Sequence, residues 1–404
     1  MRNTPFQRQS SAYGPLSRKI SKTLFQRFFL VIGFLLIPLF LGALGDHDTS
    51  EAVEVVSLPD AAEISYAEGF SIEYHEGWKI LRVKMPWDNT EREFTYCLYP
   101  RGTERPDVAC DLFVETPVKR IVVLSTTYLP CLDLVEEMDA LVGLDNRFYV
   151  YSEEVLELVD QGRVREIGEH PNIDLETLTV LDPDIIMTPV YDTQGAWSRL
   201  SQAGFPVIIN NDWLETTPLG RAEWIVFLAA FFDKEEAASD YMKAVAERYE
   251  ELVALTQPRE ERPAVLMNTP WQGTWYVPAG ESYQARLLRD AGAEYPWADT
   301  PGTGSLVLDF EEVYNTAEKA EIWLHTGSFR SKKEMEQDEE RLALFQSFIS
   351  GAVYNNDARL RSSGANDYWE SAPLHPDLVL EDLVRIFHPD LLKTGEFHYY
   401  RRVE

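Results

Sequence analysis

Residues 218–256 read PLGRAEWIVFLAAFFDKEEAASDYMKAVAERYEELVALT, and the architecture is built around this stretch. Thr216 and Thr217 can N-cap it, Pro218 suits a first helical turn and Pro258 stops it. The first half is apolar almost all round (Trp224, Ile225, Phe227, Leu228, Phe231, Phe232), which predicts burial on more than one side. The second half is amphipathic, with Tyr241, Val245, Tyr249, Leu252 and Leu255 recurring at helical spacing. Asp233 marks a kink or short break between the halves. From 233 to 256 a continuous helix would run about 36 Å, the width of a small domain.

On either side of this helix the chain alternates strands and helices. Before it, IVVL (121–124), ALVGL (140–144), DIIM (184–187) and PVIIN (206–210) are buried strands, with helices over 129–138, 174–181 and 197–203. After it, AVLM (264–267), EIWL (321–324) and AVY (352–354) are strands, with helices over 282–291, 310–317, 332–349 and 376–387. Strand–helix alternation implies βαβ units and mainly parallel sheets. GFSIEYHE, WKILRVKM and EFTYCLYP, between residues 69 and 100, alternate at strand period and read as a small antiparallel meander. The expected class is therefore α/β: two βα-sandwich lobes joined by one long interlobe helix, with the meander at the start of the first lobe. The expected divisions are a signal peptide or N-terminal anchor (1–45), a tether (46–65), an N-terminal lobe (66–232), the interlobe helix (233–257) and a C-terminal lobe (258–404).

The chain has 404 residues, 45% of them apolar, which suffices for two cores plus extensions. Its net charge of −30 argues against nucleic acid and against adsorption to anionic membrane surfaces. A basic N-terminal flank precedes an apolar run at 28–44 and the small residues Ala43-Leu44-Gly45, the pattern of an export signal either cleaved or kept as an anchor. No cysteine follows it, so lipid modification is not supported. The three cysteines form no CxxC pair; Cys97 and Cys110 flank one loop and could form a disulfide outside the cytoplasm, while Cys131 reads as a buried small residue.

The segments TPVKRIVVLSTT (116–127), LDPDIIM (181–187), AGFPVI (203–208), ETTPLGRAEWIVFLAAFF (215–232), GESYQARLLRDAGA (280–293) and YWESAPLHPDLVLEDLVRIFHPDL (368–391) occur in this order around the central helix. Together, over about residues 66–390, the chain resembles the substrate-binding proteins of ABC importers that carry iron–siderophore complexes, haem and cobalamin. The resemblance implies a ligand held between two lobes, delivery to a membrane permease, no catalysis and no resident cofactor. It also implies an acidic residue on top of each lobe that meets permease arginines. The first-lobe position falls near Gln194, so Asp192 is the nearest candidate; Glu334 and Glu336 are the second-lobe candidates.

Independently of that resemblance, ligands of parallel α/β sheets bind beyond the carboxyl ends of the strands. Those loops carry Tyr128, Arg147, Tyr191 and Trp213 in the first lobe, and Trp271, Trp275, His325 and Tyr354 in the second. Flat apolar walls with few polar groups suit a large planar or chelated ligand. Arg147, with Arg286 and Arg289 on the helix after Trp275, would clamp an anion, or else form surface ion pairs. His325 at a strand end is a poor start for a bare-metal site, which needs converging ligands. No GxSxG, GxxxxGK[ST] or GxGxxG motif follows a strand. The reading is an exported binding protein for an iron chelate or corrinoid-like ligand. The alternatives are a receptor for a bare metal or small oxyanion, and an enzyme or chelatase on the same scaffold.

Overall fold

A computed structural model of the chain describes residues 62–84, 92–169, 171–191 and 195–404. The expected signal or anchor segment, most of the tether, His170 and Asp192 to Gln194 lie outside these residues.

The chain opens with a hairpin, β1 (Phe70–His75) and β2 (Trp78–Val83), turned by Glu76-Gly77 with Gly77 at φ 81°, a backbone conformation two-residue hairpins favour. β3 (Phe94–Pro100) pairs antiparallel with β2, completing the expected meander. A fourth strand, β4 (Leu112–Thr116), adds in parallel to β3 and was not anticipated. Cys97 and Cys110, flanking the β3–β4 loop, are free thiols.

Then comes the first α/β unit: β5 (Ile121–Val123), α1 (Leu129–Leu134), β6 (Leu141–Leu144), α2 (Glu153–Asp160), β7 (Arg165–Glu166), α3 (Leu175–Leu181), β8 (Ile185–Thr188), α4 (Ala196–Gln202) and β9 (Val207–Ile209). All five strands are parallel, in the order β7-β6-β5-β8-β9. β5, β6, β8 and β9 are buried along their whole length, which is why they read as continuous apolar runs.

The deciding stretch forms two helices, α5 (Pro218–Ala229) and α6 (Glu235–Thr256). Thr217 Oγ1 accepts the Gly220 N–H at 3.1 Å, the expected cap, and Pro218 stands in the first turn. Every α5 residue except Arg221 is buried. After a 3₁₀ turn (Ala230–Phe232), Asp233 takes a left-handed conformation at φ 55° and the chain doubles back. The reversal is visible in two carboxylates: Glu223 of α5 accepts the Tyr66 N–H at 2.7 Å, and Glu250 of α6 accepts the hydroxyl of the same tyrosine at 3.3 Å. The break at Asp233 is thus a hairpin turn, and α6 alone is the strut. Its buried stripe is shared: Ala238 and Met242 pack in the first core, Val245, Ala246, Tyr249 and Leu252 in the second. Leu255, expected on that stripe, is exposed.

The second unit holds β10 (Val265–Met267), β11 (Trp275–Pro278), α7 (Tyr283–Asp290), β12 (Ser305–Leu308), α8 (Phe310–Ala317), β13 (Ile322–Leu324), α9 (Lys332–Asp338), α10 (Gln346–Ser350), β14 (Val353–Asn355), α11 (Pro376–Phe387) and β15 (Arg401–Arg402). β10, β13 and β14 are parallel and β15 closes the edge antiparallel. β11 and β12 form a separate antiparallel ribbon that periodicity did not reveal. The long helix expected over 332–349 is broken by a 3₁₀ turn at Glu340–Leu344. Besides α6, the segment 359–375 joins the lobes: Arg361 Nε donates to the Tyr151 carbonyl at 2.7 Å, and Tyr241 of the strut donates to the Leu374 carbonyl at 2.9 Å.

The start of the strut is held by Lys79 of β2, whose ammonium reaches Asp233 Oδ1 at 2.9 Å and the fully buried Glu235 carboxylate. Lys79→Ala should cost about 3–5 kcal/mol of unfolding free energy, because it leaves a buried charge without its partner. Lys79→Met combined with Glu235→Gln should recover most of that loss. Denaturant titration of both variants checks this, and equal losses in the two would mean the charges do not act as a pair.

Candidate functional site

At the carboxyl end of the first sheet, the loops after β5, β8 and β9 converge. Asn211 fastens two of them: its Oδ1 accepts the Val190 N–H at 2.7 Å and the Trp213 indole N–H at 3.2 Å. Tyr191 and Trp213 come together as a pair, ring centres 5.2 Å apart, with Tyr191 61% exposed. Beneath them Tyr128 is buried and donates its hydroxyl to the Asn210 carbonyl at 2.7 Å. Next to the pair, Asp212 receives Arg221 Nε at 2.8 Å, and the Arg221 guanidinium lies 5.4 Å from the ring centre of Tyr283 in the second lobe. Burial works hardest against the Arg221 charge, but Asp212 together with the Tyr283 and Tyr191 hydroxyls outweighs it and raises the guanidinium's pKa. Tyr283 is pushed up to about 12 by burial, so its hydroxyl stays protonated. A cation, an acid and phenols from both lobes therefore meet at one point.

The second sheet presents its carboxyl end through two left-handed residues, Asn268 after β10 (φ 63°) and His325 after β13 (φ 60°). Side chains rarely adopt this conformation, and it concentrates at sites the surrounding structure over-determines. Asn268 Nδ2 donates to the Tyr276 carbonyl at 2.7 Å and the Asn268 carbonyl receives the Trp323 indole at 2.7 Å. His325 is buried, with Nε2 2.6 Å from the Tyr400 hydroxyl and its ring 5.3 Å from that of Tyr368. Burial lowers its pKa to about 3, so the imidazole is neutral at ordinary pH.

The residues singled out from sequence fall in different surroundings. Tyr191 and Trp213 stand together at the cleft, and Trp271, 36% exposed, caps the turn leading into the β11 ribbon. Tyr354 is half-buried, 6.1 Å from Phe397. Trp275 lies in the second core, fully buried, 5.9 Å from Trp323 and bonded to the Met267 carbonyl at 2.9 Å. Ribbon pairing with β12 alternates its side chains and turns Trp275 inward and Tyr276 outward. Arg147 pairs with the exposed Asp160 at 2.7 Å, and Arg286 pairs with Asp290 one helical turn on at 2.8 Å. Glu334 and Glu336 are exposed on α9. Sequence reasoning missed Arg221, Tyr283 and Tyr368. Arg221 sat inside the deciding stretch, but as the lone cation in an apolar helix it had no spacing that tied it to Asp212 or Tyr283.

A separate pocket of about 100 Å³ opens among Leu124, Asp145, Glu169, Thr188 and Tyr191. It is small beside the roughly 300–1,000 Å³ that enclose a drug-sized ligand, and its two carboxylates disfavour an anion.

Residues 121–357 match the family model described as periplasmic binding protein. Among curated proteins, an uncharacterized lipoprotein of Methanocaldococcus jannaschii is 24% identical over 297 residues, 71% of this chain and 69% of that one. Among solved structures, an ABC transporter substrate-binding protein from Listeria monocytogenes aligns with TM-score 0.51 at 18% identity, over 67% of this chain and 99% of that one. A periplasmic heme-binding protein from Pseudomonas aeruginosa aligns with TM-score 0.51 at 17% identity, over 67% of this chain and 93% of that one. At these identities the likeness establishes the two-lobed fold. No helix of the described residues is long and apolar enough to cross a membrane.

His325 has a measurable consequence. The fold keeps it neutral down to about pH 3, whereas the unfolded chain takes up a proton near pH 6.5. Its contribution therefore favours unfolding as pH falls below about 6.5. His325→Gln retains a partner for Tyr400 and cannot protonate. The stability of the unmodified protein relative to the variant should drop by about 1.4 kcal/mol per pH unit between about pH 6 and 4. Parallel stability–pH curves for the two proteins would show that the ring is solvated.

Proposed function

The chain belongs to the periplasmic binding protein family, and on that premise we propose that it captures an iron chelate, siderophore or haem, or a cobalamin-like ligand between its lobes. It delivers the ligand to the permease of an ABC importer and catalyses nothing. The observation that carries this reading is the exposed Tyr191–Trp213 pair beside Arg221, with Tyr283 of the other lobe against the same guanidinium. Flat aromatic area and one partly buried cation suit a large ligand with an anionic edge. In this reading Tyr191, Trp213, Trp271 and Tyr354 contact the ligand, and Tyr128, Trp275 and His325 support the wall from behind. Arg221 is the anchor; Arg147, held by an exposed acid, is an auxiliary cation at the rim. Asp192, Glu334 and Glu336 are the carboxylates offered to permease arginines. The protein is exported, with residues 1–45 as its leader or 28–44 as its anchor; that a relative carries the description lipoprotein supports attachment to the outer face of a membrane.

Fluorescence titration with a ferric siderophore, haemin and cyanocobalamin tests this, alongside absorbance and native mass spectrometry of the protein purified from its own host. One of the three should bind. A charge-assisted contact is worth about 1.5–3 kcal/mol, so Arg221→Gln should weaken an anionic chelate roughly ten- to a hundredfold and leave cyanocobalamin nearly unchanged. Arg147→Ala should have the smaller effect. If none of the three binds and a bare ferric ion or small oxyanion does, the ligand class is wrong.

A further inference from the structure

Arg286 and Arg289, which the sequence offered as ligand clamps, are not at the cleft. α7 begins at Tyr283, against Arg221, and carries Arg286 about 4.5 Å and Arg289 about 9 Å along the axis at 1.5 Å per residue. There, with Arg262, they line a pocket of about 440 Å³ whose opposite wall is the end of the strut, Val253 and Thr256 with the capping Gln257; one carboxylate, Asp290, also lines it and is bonded to Arg286.

The hydrogen-bonding state of the three arginines is the informative feature. Arg286 gives only its Nε to Asp290, at 2.8 and 3.0 Å to the two carboxylate oxygens, and its two terminal nitrogens bond no described residue. Asp290 is further occupied by the Tyr249 hydroxyl at 2.9 Å. Arg262 and Arg289 are exposed and pair with none of the described acids. The nearby Asp390 is taken by Arg259, at 2.9 and 3.0 Å. In a chain of net charge −30, where carboxylates outnumber cations, three guanidiniums with free donors face one pocket.

We propose that this pocket binds a phosphate group. The free donors come from three planar forks around one space, which suits a tetrahedral dianion with several acceptor oxygens better than a single carboxylate, which one fork satisfies. The overall negative charge repels anions at long range, so affinity here is local and falls with salt only as far as the pocket is exposed. The group arrives as free inorganic phosphate or on a lipid headgroup; both present the same oxygens.

The test uses the full chain and an Arg262→Gln/Arg289→Gln variant, whose substituted side chains are exposed and leave the Arg286–Asp290 pair intact. Calorimetry with inorganic phosphate, and co-sedimentation with phosphatidylcholine vesicles with and without phosphatidic acid, are run on both proteins. Phosphate binding that the double variant weakens about a hundredfold, two charge-assisted contacts at about tenfold each, supports the proposal with free phosphate as the source. Binding confined to the phosphatidic acid vesicles and lost in the variant supports it with a lipid source. No binding to either probe, or binding equal in both proteins, overturns it.

Discussion

One buried stripe on α6 belongs to two cores, and this constraint organises the molecule. Met242 and Val245 are less than one turn apart, yet the first packs in one lobe and the second in the other. Each such side chain contributes roughly 1.5–3 kcal/mol by burial. The lobes therefore cannot separate without stripping apolar surface from the helix. Its two ends are also fixed by polar contacts: Lys79 with Asp233 and Glu235 at the start, and Thr256 Oγ1 donating to the Asp290 carbonyl at 2.7 Å at the finish. A hinge made of such a rod resists bending.

The second link between the lobes has a different chemistry. The segment 359–371 carries buried acids: Asp367, paired with Arg359 at 2.8 Å, and Glu370, which accepts the Tyr151 N–H of the first lobe at 3.3 Å. Burial raises the pKa of both, Asp367 to about 7. Arg361 meanwhile reaches Glu153 at 2.7 Å and covers the Tyr151 ring at 4.7 Å. Tyr368, in the middle of this segment, packs on His325 and Tyr400. The bridge and the floor of the cleft are thus one structure, and what orders one orders the other.

The cleft itself follows from strand direction. Within each sheet the parallel strands place their carboxyl ends on one side, so the loops after β5, β8 and β9 gather in the first lobe and those after β10 and β13 in the second, without needing to be close in sequence. Within that frame the loops hold position through side-chain bonds to backbone. Asn211 ties Tyr191's loop to Trp213's, and Asn268 ties the β10 loop to both the ribbon and β13. These are local contacts whose partners are set by the sheet, which explains why Asn residues at strand ends carry so much of the geometry.

The α/β class, the two runs of parallel strands, the cap at Thr217 and the break at Asp233 are legible in the residues alone. Each of these is written in periodicity or in residues with restricted backbone preferences, which act over a few positions. Which loops stand at the strand ends is legible too, because that follows from strand order and direction. Tertiary structure alone decided that the break at Asp233 is a reversal, since a left-handed residue can kink or fold back a chain and only the packing of Glu223 and Glu250 around Tyr66 chooses. It alone decided which arginine meets the other lobe. Arg147 and Arg221 look alike in sequence, but their partners, Asp160 on a neighbouring helix and Tyr283 in the other lobe, are 13 and 62 positions away. A charged side chain's role depends on what burial and distant folding bring to it, and no local pattern encodes that.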